Sequence, residues 1–245
     1  MVGITNLGAT CYLNALLQML YHVPCFRRTV FAMPHETEKY GSSTILGLQE
    51  VFKNLLTSTC AINTKDLLKA FGWNDTDAFM QQDVQEMMRV LLDKIEESAK
   101  ETPIDGRIKD MFCGSVRSFI SCTNVNYDSK REEDFYDIQL DVKGCKSMLE
   151  SFNKYTESEM LEGENQYDAG PEFGKQDAKK GVIFTKLPPV LTIHLKRFDF
   201  DFQRMGYKKI HDHFKFPIWT NLDDFIASDA PDNSKKDNDY ILHSV

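Results

Sequence analysis

Apolar residues change their spacing once along this chain. From residue 11 to about 100 they recur three and four apart, as on helices, and from about 112 to 202 they mainly alternate, as on strands. The chain is thereby confined to folds that keep helices and strands in separate stretches. The strand region holds a polar insertion near 156–181. The last stretch, 203–245, is loop-rich, and its polar patch Asp229-Ala230-Pro231-Asp232-Asn233-Ser234-Lys235-Lys236-Asp237 is expected to be a surface loop. No internal repeat or low-complexity block interrupts this order.

At 245 residues the chain suffices for one large domain or two small ones, and its 42% apolar and 27% charged content is that of a globular protein. No run of about 18 apolar residues is present, so no membrane partner is expected. Met1-Val2-Gly3-Ile4 lacks the basic and apolar regions of a secretory signal. The six cysteines (11, 25, 60, 113, 122 and 145) are scattered, as where thiols stay reduced. A formal charge of −8 argues against nucleic acid as the main partner.

The first helix is expected to start after Thr10, as cap, with Leu13, Leu16, Leu17 and Leu20 on its buried face. Cys11 then lies in the first turn, where unpaired N–H groups and the helix dipole favour a thiolate. A thiolate that attacks a carbonyl creates an oxyanion, and the Cys11 N–H and the Asn6 side-chain amide are candidate donors to it. A cysteine at a helix start can equally be an ordinary buried residue. The segment Gly3-Ile4-Thr5-Asn6-Leu7-Gly8-Ala9-Thr10-Cys11-Tyr12-Leu13-Asn14 resembles the cysteine box of the ubiquitin-specific proteases, a papain-like family. The resemblance implies that Cys11 is the nucleophile and that Asn6 helps form the oxyanion hole.

Gln81-Gln82-Asp83-Val84-Gln85-Glu86 opens another helix, with Val84, Met88, Leu91 and Ile95 as an apolar stripe and Glu86, Arg89, Asp93 and Glu97 as a polar one. The segment resembles the family's Gln-Gln-Asp-x-x-Glu motif. The resemblance implies a helix beside the channel for ubiquitin's C-terminal tail, with Gln81, Asp83 and Glu86 binding that tail and the two carboxylates receiving its arginines. Asp83 can also serve as a helix cap.

Tyr136, Ile138, Leu140 and Val142 alternate with polar residues, with 115–122 as expected antiparallel partner through a polar connection 123–134. Leu187-Pro188-Pro189-Val190-Leu191-Thr192-Ile193-His194-Leu195-Lys196-Arg197-Phe198 resembles the family's palm-strand signature. Phe198, Phe200 and Phe202 share one strand face, either as core or, near the palm end, as a lining of the tail channel. Many family members hold zinc between two Cys-x-x-Cys pairs. No such pair occurs here, and Tyr167-Asp168-Ala169-Gly170 stands where the second would begin, so neither metal nor cofactor is expected.

The expected fold is therefore a papain-like α+β domain over residues 1–245. It comprises a helical thumb to about 110, fingers over about 111–190 and an incomplete palm over about 191–245. The expected activity is cleavage of the isopeptide bond after ubiquitin's C-terminal glycine. Ubiquitin and ubiquitinated proteins are the expected partners, and cytosol and nucleus the expected location. The family's general base lies in a Gly-Gly-His-Tyr box, which none of the histidines at 22, 35, 194, 211, 213 and 243 occupies. The chain is thus read as a truncated domain, inactive on its own, the alternative being a catalytically inactive ubiquitin-binding module.

Overall fold

The computed structural model describes residues 2–34, 43–72, 83–231 and 238–245. The chain divides into two compact units, Met1–Met111 with Ser244, and Phe112–His243 with Val245. Gln81, Gln82, the segment 73–79 and the patch residues 232–237 lie outside the described residues.

The first unit contains α1 (Cys11–Tyr21), α2 (Pro24–Phe31), α3 (Ser43–Thr57), α4 (Lys65–Ala70), α5 (Val84–Ala99) and the start of α6 (Arg107–Phe112). Leu13, Leu16, Leu17 and Leu20 of α1 are all buried, as their spacing predicts. Proline as the first residue of α2 loses no helical bond, because the N–H it lacks would be unpaired there anyway. Tyr21 and Phe26 meet Phe52 of α3 edge-to-face, with ring centroids 5.4 and 6.1 Å apart. In α5 the buried face contains Met88, Leu91 and Ile95 of the expected stripe and is wider than it. Met87, Met88, Leu91, Leu92, Ile95 and Ala99 are buried, whereas Val84 is exposed. Val84 sits in the opening turn, where the helix has only begun to pack.

The second unit is built on an antiparallel sheet in the order β2 (Asp128–Phe135), β1 (Gly114–Cys122), β7 (Ala178–Lys186), β4 (Glu159–Leu161). This corrects the expected pairing. The partner of β1 is β2, in register from Gly114 opposite Phe135 to Ser121 opposite Asp128, so most of the polar connection is itself a strand. Its sequence Asp-Ser-Lys-Arg-Glu-Glu-Asp-Phe exposes side chains on both faces, so no apolar alternation marks it. The alternating segment instead forms β3 (Ile138–Asp141), paired in parallel with β8 (Ile193–Lys196). Gly114 is required where β1 begins, since a Cβ there would lie 2.3 Å from the Phe135 ring and 2.7 Å from the Lys186 carbonyl oxygen.

Phe184 of β7 is fully buried in the core of this unit, among Val116, Leu140, Phe152 and Leu222. Its ring lies 5.6 Å from Phe135, 6.0 Å from Phe152 and 5.7 Å from Tyr155. Phe152 and Tyr155 come from α7 (Met148–Thr156), whose start is doubly capped. The Ser147 hydroxyl accepts from the Glu150 N–H, and the Glu150 carboxylate accepts from the Lys146 N–H. Around this core lie the hairpins β5–β6 (Tyr167–Asp168, Lys175–Gln176) and β9–β10 (Phe198–Asp201, Gly206–Lys209). A further pair is β11–β12 (Trp219–Asn221, Asp239–Ile241).

Charged groups tie distant segments of this unit together. Arg117 donates to Glu132 on β2 and, through one nitrogen, to both oxygens of Asp229, at 2.7 and 2.8 Å. Asp141 at the end of β3 accepts from Lys196 at 2.5 Å and from Lys154 at 2.9 Å. The bond from Lys196, with that from Lys154 behind it, holds the Asp141 carboxyl below the usual carboxylate range.

Two outcomes are expected. Phe184→Ala should cost about 3–5 kcal/mol in chemical denaturation, and a loss under about 1 kcal/mol would show that the site is not central. Because the folded Asp141 titrates low, it contributes stability above about pH 4, the unfolded value, and loses it as pH falls further. Asp141→Asn should therefore be less stable than the parent at pH 6, by a margin that shrinks below about pH 4. A margin independent of pH would contradict the linkage.

Candidate active site

The chain reaches α1 through a short pairing that fixes its approach. Ile4 bridges to Ile62, with the Thr5 N–H on the Ile62 carbonyl at 2.7 Å and the Ile62 N–H on the Gly3 carbonyl at 3.0 Å. Two amides on α1, one turn apart, hold the same segment from the other side. Asn14 donates to the Thr5 carbonyl at 3.3 Å, and Gln18 to the Val2 carbonyl at 2.9 Å. The loop that follows turns at Gly8, whose φ of 135° lies in the left-handed half of conformational space where a side chain is strained.

Within that loop the Asn6 carboxamide oxygen accepts three hydrogen bonds. Its donors are the Gly8 N–H at 3.3 Å, the Thr10 N–H at 3.2 Å and the Thr10 hydroxyl at 3.1 Å. The nitrogen of the same carboxamide donates to no described residue. Three donors around one terminal atom identify it as the oxygen, so the NH2 end is the end left available. Thr10 precedes α1, but its hydroxyl does not cap the helix as expected. It accepts from the Leu7 N–H at 3.1 Å and donates to Asn6.

Cys11 is the first residue of α1 and is exposed. The Asn14 N–H is already on the Thr10 carbonyl at 3.0 Å, which starts the helical ladder. The Cys11 N–H precedes that ladder and makes no hydrogen bond with the described residues. Asn6 and the start of α1 therefore bring an exposed thiol, a free backbone N–H and an oriented side-chain amide into one short segment. Such a group can attack a carbonyl carbon and hold the resulting oxyanion. Burial raises the adjacent Tyr12 phenol, and charge on Cys11 adds to that rise. His22, the described histidine nearest in sequence, lies past the opposite end of α1, roughly 16 Å away along the axis.

The other expected site residues fall in separate groups. Asp83 is the N-cap of α5, its oxygen accepting from the Gln85 N–H at 2.8 Å, and Glu86 is exposed in the first turn. Gln81 lies outside the described residues. Phe198 and Phe200 belong to the second unit. Phe200 is half-buried against Phe202 and Tyr207, with centroids 5.1 and 5.4 Å apart, whereas Phe198 is exposed under the Lys209 ammonium. Gly8, Thr10, Asn14 and Gln18 were not singled out as organisers of the Asn6 loop by the sequence. The one available signal was the i, i+4 pair of amides opposite the leucine face.

Among the described residues no group of three His, Cys, Asp or Glu side chains could hold a metal ion. In the segment Tyr167-Asp168-Ala169-Gly170 the Tyr167 ring meets Tyr127, with centroids 6.1 Å apart, and Tyr127 also meets Phe173 at 5.9 Å.

The family model described as Ubiquitin carboxyl-terminal hydrolase matches residues 2–245. The chain belongs to the ubiquitin-specific protease family. Ubiquitin C-terminal hydrolase 12 of Arabidopsis thaliana is 49% identical over 249 residues, covering 100% of this chain and 22% of that protein. Ubiquitin carboxyl-terminal hydrolase 15 of Saccharomyces cerevisiae is 43% identical over 251 residues, covering 100% and 20%. Ubiquitin carboxyl-terminal hydrolase 7 of Drosophila melanogaster is 47% identical over 244 residues, covering 100% and 21%. The chain thus spans about a fifth of the length of the curated relatives it matches. Its helical first unit and mainly strand-built second unit, with α7 among the strands, fit the family's papain-like α+β fold.

The cap geometry gives Asp83 a structural role that can be separated from any charge role. Asp83→Ala should cost about 1 kcal/mol of stability, whereas Asp83→Asn, which caps nearly as well, should cost little. Equal losses by the two in chemical denaturation would mean that the charge, and not the cap, is what α5 needs.

Proposed function

We propose that this chain carries the nucleophile of a deubiquitinating cysteine protease, with Cys11 attacking the carbonyl carbon of ubiquitin's C-terminal glycine. The observation that carries the reading is the Asn6 carboxamide, its oxygen bound by three donors and its NH2 end left beside the exposed start of α1. On attack a bond forms from the Cys11 sulfur to the carbonyl carbon, and the carbonyl electrons move onto oxygen. The Cys11 N–H and the Asn6 amide then donate to that oxygen. Collapse expels the lysine amine and leaves a thioester, which water hydrolyses. An imidazole must take the thiol proton and return it to the leaving amine. The family resemblance assigns that step to a Gly-Gly-His-Tyr box.

On this reading the helical unit is the thumb, the β2-β1-β7-β4 sheet forms the fingers, and the segment from Leu191 onward belongs to the palm. Asp83 and Glu86 receive the arginines of the ubiquitin tail, together with Gln81, and Phe198 and Phe200 line its path. Ubiquitin and ubiquitinated proteins are the proposed partners, rather than nucleic acid or a membrane, and the cytosol and nucleus the proposed location. The acidic balance of the chain supports a partner with a basic tail.

Cys25 provides an internal control, being exposed and in the first turn of α2. A ubiquitin with a C-terminal electrophile should label Cys11 at least about 10²-fold faster than Cys25 or Cys60, and Cys11→Ala should abolish the fast labelling while ubiquitin still binds. In a protein that also carries the Gly-Gly-His-Tyr box, Asn6→Ala should slow hydrolysis of an activated ubiquitin ester by about 10²–10³. Comparable labelling of the three exposed thiols would remove Cys11 from the role.

A further inference from the structure

Thr10 is fully buried, and its carbonyl starts the helical ladder of α1, yet its side chain makes no cap to that helix. Its hydroxyl accepts from the Leu7 N–H and donates to the Asn6 oxygen, and its own N–H donates to the same oxygen. We infer that Thr10 is a positioning residue for the oxyanion site, setting which end of the Asn6 carboxamide faces the reacting carbonyl. The inference rests on the reading of Cys11 as nucleophile.

The physical reason lies in the symmetry of the carboxamide. Its two ends are nearly the same size, and only hydrogen bonds choose between them. A rotation of 180° would place the NH2 group against the Gly8 N–H, the Thr10 N–H and the Thr10 hydroxyl. The two N–H groups can only donate, so the flipped state is opposed by donors meeting donors. It would also turn the carbonyl oxygen toward a developing negative charge, reversing the sign of the interaction that stabilises it. Thr10 supplies two of the three donors, and its hydroxyl, by also accepting from Leu7, is held in the direction that donates to Asn6. Burial keeps water from substituting for that hydroxyl. The Asn14 amide on the Thr5 carbonyl fixes the residue just before Asn6, so the loop itself is held while the side chain is being oriented.

Ubiquitin whose C-terminal carboxylate is replaced by an aldehyde tests this without turnover. Addition forms the bond from the Cys11 sulfur to carbon and breaks the carbonyl π bond, and the thiol proton ends on the former aldehyde oxygen. That oxygen then occupies the oxyanion position. The readout is the ratio of affinities for ubiquitin aldehyde and for ubiquitin. Thr10→Val keeps the shape and loses the hydroxyl, and should lower the ratio about tenfold, the scale of one hydrogen bond. Thr10→Ser should restore it to within about twofold. Asn6→Ala should lower the ratio at least as far as Thr10→Val, and adding Thr10→Val to Asn6→Ala should change nothing more, because Thr10 acts through Asn6.

A merely structural Thr10 would lower the melting temperature and weaken both ligands together, leaving the ratio alone. Where Thr10→Val fails to fold, Thr10→Ala is measured in the same cycle. An unchanged ratio in these variants, or the same fold loss with and without Asn6, overturns the inference while leaving Cys11 as nucleophile. If the parent binds the aldehyde no better than ubiquitin, the nucleophile reading fails and this inference falls with it.

Discussion

The carboxamide oxygen of Asn6 accepts from the Gly8 N–H, the Thr10 N–H and the Thr10 hydroxyl, and the start of α1 depends on that cluster. A loop entering a helix carries polar groups that neither a strand ladder nor the helix can pair. Here one side chain gathers those nearest the turn. Gly8 then takes the positive φ that lets its N–H reach back, and Thr10 has its hydroxyl drawn away from capping. The first helical N–H, that of Cys11, has no partner within the helix, as at any helix start, and Cys11 itself is exposed. A hydroxyl at residue 10 turned to cap α1 would accept from a first-turn N–H, and would no longer be held between Leu7 and Asn6.

The second unit is organised from within by aromatic contact and at its margins by charge. Phe184 collects rings from β2 and α7, so the sheet and the helix above it share one core. Arg117 and Asp141 each serve two partners from separate segments. Paired charges near a surface add little stability individually. Their effect here is register: Arg117 joins β1, β2 and the segment at Asp229, and Asp141 joins β3, β8 and α7. Near the β5–β6 hairpin the ring of Tyr127 meets those of Tyr167 and Phe173, and the two phenols share a hydrogen bond.

Where the sequence was legible, the signal and the packing had the same origin. The α1 leucines repeat at the helical period because that face is buried, and the cysteine box could be recognised because its residues are adjacent in the chain. The strand β2 was illegible for the opposite reason. It is an edge strand exposed on both faces, so backbone pairing with β1 holds it and its side chains leave no pattern. The parallel pairing of β3 with β8 joins residues more than fifty positions apart, and nothing in either segment alone specifies the other. Val84 shares the helical face of Met88 and is nonetheless exposed, because a periodic pattern does not report where along the helix packing begins. The roles of Thr10 and Asn14 were hidden because each rests on a hydrogen bond to a loop whose course depends on Gly8.

The two helix-start cysteines separate what a sequence rule captures from what a site requires. Cys11 and Cys25 are both exposed and both lie in the first turn of a helix. The dipole argument that favours a thiolate applies to each, so by itself it does not distinguish one from the other. They differ in what precedes them. Before Cys25 stand Val23, which caps nothing with its side chain, and Pro24, which has no N–H to donate. Before Cys11 stands a loop that fixes an amide by its oxygen and leaves the nitrogen side available. A thiolate makes attack possible, but only a donor already aimed at the developing oxyanion lowers the barrier to it without reorganising during the reaction. The chemical identity of the site therefore lies in the five residues before the cysteine as much as in the cysteine itself.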